Sequence, residues 1–309
     1  MMKSFLLKSF LFFAVFFVLE KSLLLVRNTA PERELDKRLE QILTGKINAD
    51  VIVMGSSRGA RDIIASNIAD SLHTAAYNLS YPGSNIFFHE YLLEKLLQFK
   101  NKKPKLIILA ADDPWELSPN NSINFRFDRL YPLVKYEDVR NTLIEKEEKN
   151  KILSQLFVVH QLGLSNFDFR KKYFDPQDTL LADGSMPISF RSKKFKPIFS
   201  EKYYIYDPKA EDTAKAKSLK KFITLCKNNN IQLLVALAPN FGNPSAGFKQ
   251  RMDEYVTPPD SRAIIYDTVN PVYKNKNYYF DAGHLTKEGA AIFTSEIIDY
   301  VRNKNLLGQ

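Results

Sequence analysis

A serine, a histidine and an aspartate occupy positions from which they can act together on an acyl group. Ser57 follows an apolar run in the sequence Gly-Ser-Ser-Arg-Gly, and Asp281 and His284 are three residues apart just before a helical pattern. A serine hydroxyl is a weak nucleophile near neutral pH, so it needs a base within hydrogen-bond reach and a third group that orients the base. His284 and Asp281 supply that pair. The three residues therefore predict nucleophilic catalysis on an ester or thioester.

Further polar groups follow the neighbouring apolar runs. Gly83 comes after the second run, where its backbone N–H and that of Ser57 can hold a developing oxyanion. Asp112 and Asp113 follow the third run, and Arg58 is adjacent to the nucleophile. We expect Ser57 and Gly83 to form the oxyanion hole, and Arg58, Asp112 and Asp113 are candidates for substrate binding.

All of these residues follow segments that are typical of buried parallel strands. Each segment is short, continuous and apolar, as strands covered on both faces are. The predicted strands are 50–54, 75–79, 105–110, 231–238 and 263–267. Helical patterns follow or separate them at 60–72, 86–99, 213–229, about 246–255 and 286–301. This alternation predicts a three-layer α/β/α sandwich, in which ligands bind outside the carboxyl ends of the strands.

The alternation breaks between the third and fourth strands. Residues 114–212 are rich in charged and aromatic side chains, and they include a helical pattern at 136–161. Loops of this length are usually functional or carry structure of their own. We therefore predict a largely helical insert that caps the site or binds a partner, within an α/β domain at 48–309.

An apolar stretch at 4–26 predicts a membrane-spanning helix. It has about the 20 residues that cross a bilayer, and only Lys8 and the Glu20-Lys21 pair interrupt it. A cleaved signal peptide is disfavoured because the one small-residue site directly precedes Pro31. The stretch therefore predicts an uncleaved signal anchor, with the lipid bilayer as a partner.

The residues around this stretch predict its orientation and the division of the chain. Lys3 and Lys8 favour a cytoplasmic N-terminus, so the remainder of this single-pass protein is expected on the extracytoplasmic, periplasmic side. The chain is accordingly divided into a membrane anchor at 1–27, a charged stalk at 28–47 and the α/β domain.

Composition narrows the function classes. The single cysteine, Cys226, excludes an internal disulfide framework and a cysteine-rich metal site. His73, His89 and His160 have no acidic or cysteine partners at ligand spacing, so neither a metal nor another cofactor is expected. The net charge of +9 comes from scattered basic residues without a nucleic-acid-binding pattern. It favours a solvated surface over a nucleic-acid partner.

The motifs resemble those of the SGNH (GDSL-like) hydrolase superfamily. Residues 55–57, Gly-Ser-Ser, match its nucleophile block Gly-Asp-Ser, Asp281 to His284 match its Asp-x-x-His block, and Gly83 resembles its oxyanion-hole glycine. The resemblance covers the core apart from the anchor and the insert, and it implies a five-stranded parallel, flavodoxin-like sheet. The Gly-Ser-Ser-Arg variant, the anchor and the insert make the chain more similar to the branch that includes the D-alanyl-transfer protein of teichoic acid modification and the periplasmic acetylation proteins of alginate.

The sequence departs from this family at the third strand. The family places an asparagine there as a second oxyanion donor, whereas this chain has Asp112 and Asp113. An ionised carboxylate would repel an oxyanion. Either an aspartate stays protonated, or it points elsewhere and only the N–H groups of Ser57 and Gly83 form the hole. We expect slow hydrolysis of small model esters.

Two other functions fit parts of the sequence. The run VIVMGSSRGARDIIA resembles the phosphate loop of a dinucleotide-binding dehydrogenase, but Arg61 occupies the third glycine position and no acidic residue ends the second strand. A catalytically reduced scaffold that binds polysaccharide or an acyltransferase fits the missing asparagine, while the complete Ser-His-Asp set favours an enzyme.

Asp267, after the fifth strand, is an alternative triad acid, although Asp281 is nearer to His284 in sequence.

The expected activity is that of a serine esterase or O-acyltransferase. Acetyl is the expected acyl group, and the acceptor is either water or a sugar hydroxyl of a cell-surface or exported polysaccharide. The resemblance also implies an acylated carrier and a membrane-bound O-acyltransferase as candidate partners. Transfer at the membrane surface is favoured because an anchor keeps the site near acyl groups that are passed across the bilayer.

Overall fold

Five parallel strands and their connecting helices form the fold, in a computed structural model that describes residues 2–192, 195–199, 204–242 and 244–308. The strands are β1 (Val51–Gly55), β2 (Ala76–Asn78), β3 (Leu106–Ala111), β4 (Gln232–Leu237) and β5 (Ser261–Ile265). The helices are α1 (Met2–Thr29), α2 (Arg38–Leu43), α3 (Ser57–Asp62), α4 (Ala65–Leu72), α5 (Ile86–Gln98), α6 (Phe127–Leu130), α7 (Glu137–Glu145), α8 (Lys151–Leu156), α9 (Thr213–Asn228), α10 (Phe248–Tyr255) and α11 (Lys287–Asn303).

The strand order in the sheet is β2-β1-β3-β4-β5, and every neighbouring pair is parallel. The chain therefore reverses its direction of winding beside β1, which creates a crevice at the carboxyl ends of β1 and β3. This is the flavodoxin-like order, and the predicted α/β fold class is confirmed. The loops after β1, β2 and β3 lie at this edge.

Both faces of the sheet are covered because the central strands are apolar at every position. All residues of β1 and β3 are buried. Successive side chains of a strand point to opposite faces. One face joins a core with residues of α4 and α11, including Val53, Ile108 and Phe293. On the other side α5 packs against α9.

The predicted helix at 60–72 is divided into α3 and α4. Ile63 and Ile64, between the two helices, are extended. The Asn78 amide donates to the carbonyls of Gly59 and Ile63, and the Ile64 N–H donates to the Thr294 hydroxyl. Tertiary hydrogen bonds thus replace the helical ones at this point, so the buried backbone groups remain paired.

The chain forms two compact units. The first, here called the anchor unit, joins the chain up to Glu40 with Arg126–Tyr173. The second, here called the sheet unit, comprises Gln41–Phe125 and the chain from Phe174 onward. The region predicted as an insert is therefore divided, with its middle part in the anchor unit and its two ends in the sheet unit.

The anchor unit is organised around α1, which is apolar and largely exposed. With the 3-10 turn Ala30–Arg33 it extends over 32 residues, long and apolar enough to cross a bilayer. The helical pattern predicted at 136–161 is interrupted after α7. Glu147 has a left-handed φ of 61°, and the Asn150 side chain caps the new helix α8. A capping asparagine before an apolar run is a helix start signal.

Candidate active site

The nucleophile turn connects β1 directly to α3. The Ser56 hydroxyl accepts the N–H of Arg58 at 3.3 Å and caps the helix, which leaves Ser57 at its first position and partly exposed. Gly55 is required here because a Cβ atom would lie 2.7 Å from the carbonyl oxygen of Ala110 on β3. The close approach of the strands therefore fixes where the serine emerges.

Ser57, His284 and Asp281 form a continuous chain of hydrogen-bonded side chains. The Ser57 Oγ lies 2.8 Å from the His284 Nε2, and the His284 Nδ1 lies 2.9 Å from the Asp281 Oδ1 and 3.0 Å from its Oδ2. An aspartate beside Nδ1 holds that proton, so Nε2 is left as the acceptor that faces the hydroxyl. The arrangement has the geometry of a base poised to deprotonate Ser57.

The turn that carries the acid and the base is built around the carboxylate of Asp281. Its Oδ1 accepts the backbone N–H of Gly283 at 2.8 Å and that of His284 at 2.9 Å. Burial acts to raise the pKa of Asp281, but the hydrogen bond and positive charge of His284 and the two backbone N–H groups outweigh it and lower this pKa to about 2. Asp281 is therefore ionised across the whole neutral range.

A buried ion pair lies behind the triad. Arg58 donates to the carbonyls of Ala238 and Pro239 at 2.7 and 2.8 Å, and its guanidinium lies 3.5 Å from Asp62. Asp62 in turn accepts the N–H of Leu285, next to the histidine, at 2.9 Å. Burial raises the pKa of Asp62 and the charge of Arg58 opposes that rise. These contacts tie the nucleophile helix to both the β4 loop and the histidine.

Gly83 lies in a turn that is fastened to the end of β1. The N–H of Tyr81 donates to the Gly55 carbonyl at 3.0 Å, and the Ser84 Oγ lies 3.2 Å from the same oxygen. Gly83 has a φ of 75°, a left-handed conformation that favours glycine. No acceptor in the described ranges takes the backbone N–H of Ser57 or Gly83, so both remain available to an oxyanion.

Asp112 follows β3 in a buried and acidic environment. Its N–H donates to the Glu116 carboxylate at 2.9 Å. Burial, followed by the charge of Glu116, raises the pKa of Asp112 to about 6, while the Ser56 hydroxyl and Arg58 act in the opposite direction. An aspartate with this pKa is mostly ionised at pH 7 and becomes neutral in mildly acidic solution.

A buried chain of polar groups joins the Gly83 turn to Asp112. The Ser84 hydroxyl, which donates to the Tyr81 carbonyl, lies 2.9 Å from the Nε2 of His89. The Nδ1 of His89 lies 3.5 Å from Glu116. His89, Glu116 and Ser84 are fully buried, so they cannot meet a substrate. Their role is to hold the two loops beside the nucleophile.

Arg58 and Asp113, two of the candidate substrate-binding residues, have partners inside the protein. Arg58 is 5% exposed and makes the contacts described above. Asp113 accepts the Ser245 N–H at 2.8 Å, and burial raises its pKa while that hydrogen bond opposes the rise. The structure thus brings Ser57, Asp281 and His284 together and turns these two charged groups towards the protein interior.

The second end of the predicted insert reaches the triad turn. Arg191 donates to the carbonyls of Tyr279 and Phe280, the latter at 2.9 Å. The ring of Phe195 stacks on that of Phe280, with centroids 4.5 Å apart and planes 7° apart. Phe195 is itself exposed, so an aromatic surface borders Asp281.

Two supporting residues were not predicted from the sequence. Asp62 is four positions after Arg58, the spacing of an ion pair on one helical face, and this was its only sequence signal. Asn78 ends β2 and accepts the Ser80 N–H while donating to the backbone around α3. Both act on backbone groups distant in sequence, which no local pattern indicates.

Comparisons with known proteins give no further guidance. No family model matches the chain, and no curated protein matches it. Within the described ranges, no three His, Cys, Asp or Glu side chains are grouped so that they could hold a metal ion. The functional argument therefore depends on the geometry of the site.

Proposed function

We propose that this protein is a serine esterase or O-acyltransferase of the SGNH type that uses Ser57, His284 and Asp281. The observation that carries the proposal is the continuous chain from the serine Oγ to the histidine at 2.8 Å and from the histidine to the carboxylate at 2.9 Å. Taken alone, each residue could be a helix cap or a surface group, but such structural roles do not account for both distances together.

The proposed reaction proceeds through an acyl-enzyme. The Ser57 Oγ attacks the carbonyl carbon of an ester or thioester while its proton passes to the His284 Nε2. The tetrahedral oxyanion accepts hydrogen bonds from the N–H groups of Ser57 and Gly83. As the intermediate collapses, the leaving alcohol or thiol takes the proton from His284. Water or a sugar hydroxyl then attacks the acyl-enzyme by the same steps in reverse, and Ser57 is regenerated.

Acetyl is the proposed acyl group, and a cell-surface or exported polysaccharide is the proposed substrate or acceptor. The exposed ring of Phe195 beside the triad supports a sugar-binding role, because an aromatic face packs against the apolar face of a sugar ring. The resemblance to the polysaccharide-acylating branch points the same way. An acylated carrier or a membrane-bound O-acyltransferase would then supply the acyl group.

The apolar helix α1 is proposed to anchor the enzyme in a membrane as a single span. Its length and composition support this role. Lys3 and Lys8, both near its N-terminal end, favour a cytoplasmic N-terminus, which would place the catalytic residues on the extracytoplasmic side.

A fluorophosphonate probe tests the nucleophile. The full chain in detergent micelles is treated with the probe, and its intact mass is measured. We expect one adduct on wild type and none on Ser57→Ala or His284→Ala, because the serine needs the histidine as base. Ser295→Ala is the matched control, since this exposed serine only bonds its own helix. An adduct that persists in Ser57→Ala would refute the proposed nucleophile.

A catalytically reduced scaffold is the second candidate function. It is favoured by Asp112, whose carboxylate stands where the family has an oxyanion-donating asparagine. The two functions differ in a cell. In a strain that depends on this gene for polysaccharide acylation, Ser57→Ala would abolish acylation if the protein is an enzyme. Full acylation by this variant would establish the scaffold instead.

A further inference from the structure

The anchor unit has a large apolar surface after α7 that no other part of this unit covers. Ile152 and Leu156 on α8 are 66% and 61% exposed, and Leu164 is 93% exposed. The other exposed apolar or aromatic residues of this segment are Leu153, Val159, Phe167, Phe169 and Tyr173. A contiguous apolar surface is unfavourable in water and marks a surface that contacts a partner or a membrane.

This segment lies along the C-terminal half of α1. The rings of Phe157 and Phe16 are in edge contact, with centroids 6.2 Å apart. Further along both segments, Arg27 donates to the Gln161 side chain at 2.9 Å. Arg33, after α1, donates at 2.6 Å to the backbone carbonyl of the residue five positions after Gln161. These contacts show which residues of the segment lie beside which residues of α1.

The level of Phe16 and Glu20 lies within the bilayer for any placement of α1. A span needs about 20 residues, and every such window inside Met2–Thr29 contains residues 10–21. Since Phe157 touches Phe16, the end of α8 must lie at a depth where α1 is surrounded by lipid. The conclusion does not depend on which side of the membrane the C-terminal end occupies.

Glu20 supports this placement. It is the one buried residue of α1, with 6% of its surface exposed. Its carboxylate accepts the backbone N–H of Val158 and, at 3.4 Å, that of Val159. Charged residues within membrane spans face protein partners, because an unpaired charge in hydrocarbon is very unfavourable. The segment therefore covers the one acidic group of the apolar helix.

Backbone N–H groups around the end of α8 are also paired, as a lipid environment requires. In hydrocarbon every backbone polar group must find a partner within the protein. Asn150 caps α8, Phe157 N–H donates to the Leu153 carbonyl, and Glu20 accepts the two N–H groups that follow. The N–H of Gly163 donates to the Asn166 side chain at 2.8 Å. The carboxylate thus pairs the donors where α8 ends.

The far end of the segment has the composition of the headgroup region. Phe167 and Phe169 alternate with polar residues, and Arg170 and Lys171 follow with exposed side chains. Arg33 lies over the Phe169 ring at 4.7 Å. Aromatic and basic side chains concentrate where hydrocarbon meets water. The order from α8 to Lys171 therefore follows a path from hydrocarbon to headgroups.

We infer that residues 151–173 form a second membrane element, which enters one leaflet beside α1 without crossing it. Its ligand is the lipid bilayer, with acyl chains around Ile152 and Leu156 and headgroups around Arg170 and Lys171. The inference rests on the membrane anchoring by α1 that is part of the proposed function. The protein is thereby held by two neighbouring elements and not by a single flexible tether.

Spin labels on single cysteines test this inference. Cys226 is buried, and burial raises its pKa to about 12, so Cys226→Ser removes the only native thiol without exposing a new surface. Labels are then placed on Ile152→Cys, Leu156→Cys and, as a reference in α1, Phe12→Cys. The full chain is reconstituted alone into phosphatidylcholine and phosphatidylglycerol vesicles. Accessibility to oxygen and to a water-soluble nickel complex is measured.

Labels at Ile152 and Leu156 are expected to be relaxed by oxygen and protected from nickel, as the Phe12 label is. Val269→Cys is the control, because it is an equally exposed apolar position in the sheet unit and its label should be open to nickel. A nickel-accessible label at Leu156 with a protected one at Phe12 would overturn the inference and leave the anchor intact. Nickel access at Phe12 as well would overturn the anchor itself.

A protein partner would give a different result. If another copy of the chain covered the surface, the labels at Ile152 and Leu156 would be immobilised and shielded from both oxygen and nickel, which would also overturn the inference. If a different membrane protein normally covered it, these labels would be nickel-accessible in vesicles that contain only this chain. Protection from nickel together with free access to oxygen therefore supports lipid alone.

Discussion

Two carboxylates at the same edge of the sheet have pKa values that are shifted in opposite directions. Asp112 is buried and Asp281 is partly buried, and burial alone would raise the pKa of each. Asp281 faces a histidine and two backbone N–H groups, and its pKa falls to about 2. Asp112 is buried beside Glu116, and burial first and then the charge of Glu116 raise its pKa to about 6. The groups around a carboxylate, and not its burial alone, therefore decide in which direction its pKa is shifted.

The difference divides the site into two halves. On one side, in the proposed mechanism, the ionised Asp281 stabilises the histidinium that forms when Ser57 reacts. On the other side, Asp112, a carboxylate of intermediate acidity, follows β3, where the resemblance implies a donor for the oxyanion. The first half fits the proposed catalysis and the second is poorly suited to it. The same substitution, aspartate to asparagine, should therefore have opposite consequences in the two halves.

The largest effect is expected for Asp281→Asn on turnover. An asparagine cannot hold His284 in the required tautomer, so kcat for an acetyl ester such as p-nitrophenyl acetate should fall by roughly 10³ to 10⁴-fold. Asp267→Asn is the matched control, because the exposed carboxylate of Asp267 accepts a local N–H, that of Val269, at 3.1 Å. Equal losses of kcat in Asp281→Asn and Asp267→Asn would show that Asp281 has no special role, and the comparison with Asp112 would then be wrong.

The next largest effect is expected for Asp112→Asn on stability. The folded pKa of about 6 lies above the unfolded value of about 3.9, so ionisation removes stability as the pH rises from 4 through 6. The neutral amide escapes this loss. Relative to wild type, the variant should gain about 2 to 3 kcal/mol between pH 4 and pH 7.

Urea unfolding, followed by the fluorescence of Trp115, the only tryptophan, measures this change. Glu296→Gln serves as a control, since Glu296 is bound at 2.8 Å by the hydroxyl of Tyr273, away from Asp112. If the stability gained by Asp112→Asn were already complete at pH 4, removal of the Asp112 charge would not be its cause.

A smaller effect is expected for Asp112→Asn on catalysis. Replacing a carboxylate with an amide removes a repulsive charge and supplies a donor, and such donors contribute about a hundredfold or more where they are well placed. Because the loop was not shaped for this role, we expect kcat for the same ester to rise about tenfold at pH 7. A decrease would indicate that Asp112 assists catalysis in its ionised form.

The smallest effect is expected for Asp281→Asn on stability. The folded pKa of about 2 lies below the unfolded value, so this carboxylate contributes stability above pH 4 that is lost as the pH falls through 2. The side chain is 31% exposed, which reduces the contribution to about 1 kcal/mol at pH 7. The variant should therefore unfold at lower urea than wild type at pH 7 and match it near pH 2.

The strands of the sheet and the contact between Asp281 and His284 follow from local sequence patterns. The apolar runs before Gly55 and Asp112 define central strands, and the parallel topology brings their ends together. The three-residue spacing of Asp281 and His284 indicated their contact. These features were predictable because a strand or a tight turn is encoded by residues that are adjacent in the chain.

Other features depend on contacts between distant residues. The bond from Leu285 to Asp62 joins residues 223 positions apart, and the opposite acidities of Asp281 and Asp112 arise from neighbours that only the fold supplies. The association of α1 with residues after Asn150 likewise has no local signal. Hydrophobic periodicity indicates that a surface will be covered but not by which segment.

The pairing of Glu20 with Val158 has a consequence for the order of synthesis. The two residues are 138 positions apart, so at about 5–20 residues per second Glu20 leaves the ribosome on the order of ten seconds before its partner. During that interval α1 carries an acidic group with no backbone donor to cover it. If α1 is the proposed membrane anchor, its insertion is a two-stage event, in which the first helix becomes fully compatible with lipid only after the later segment has arrived.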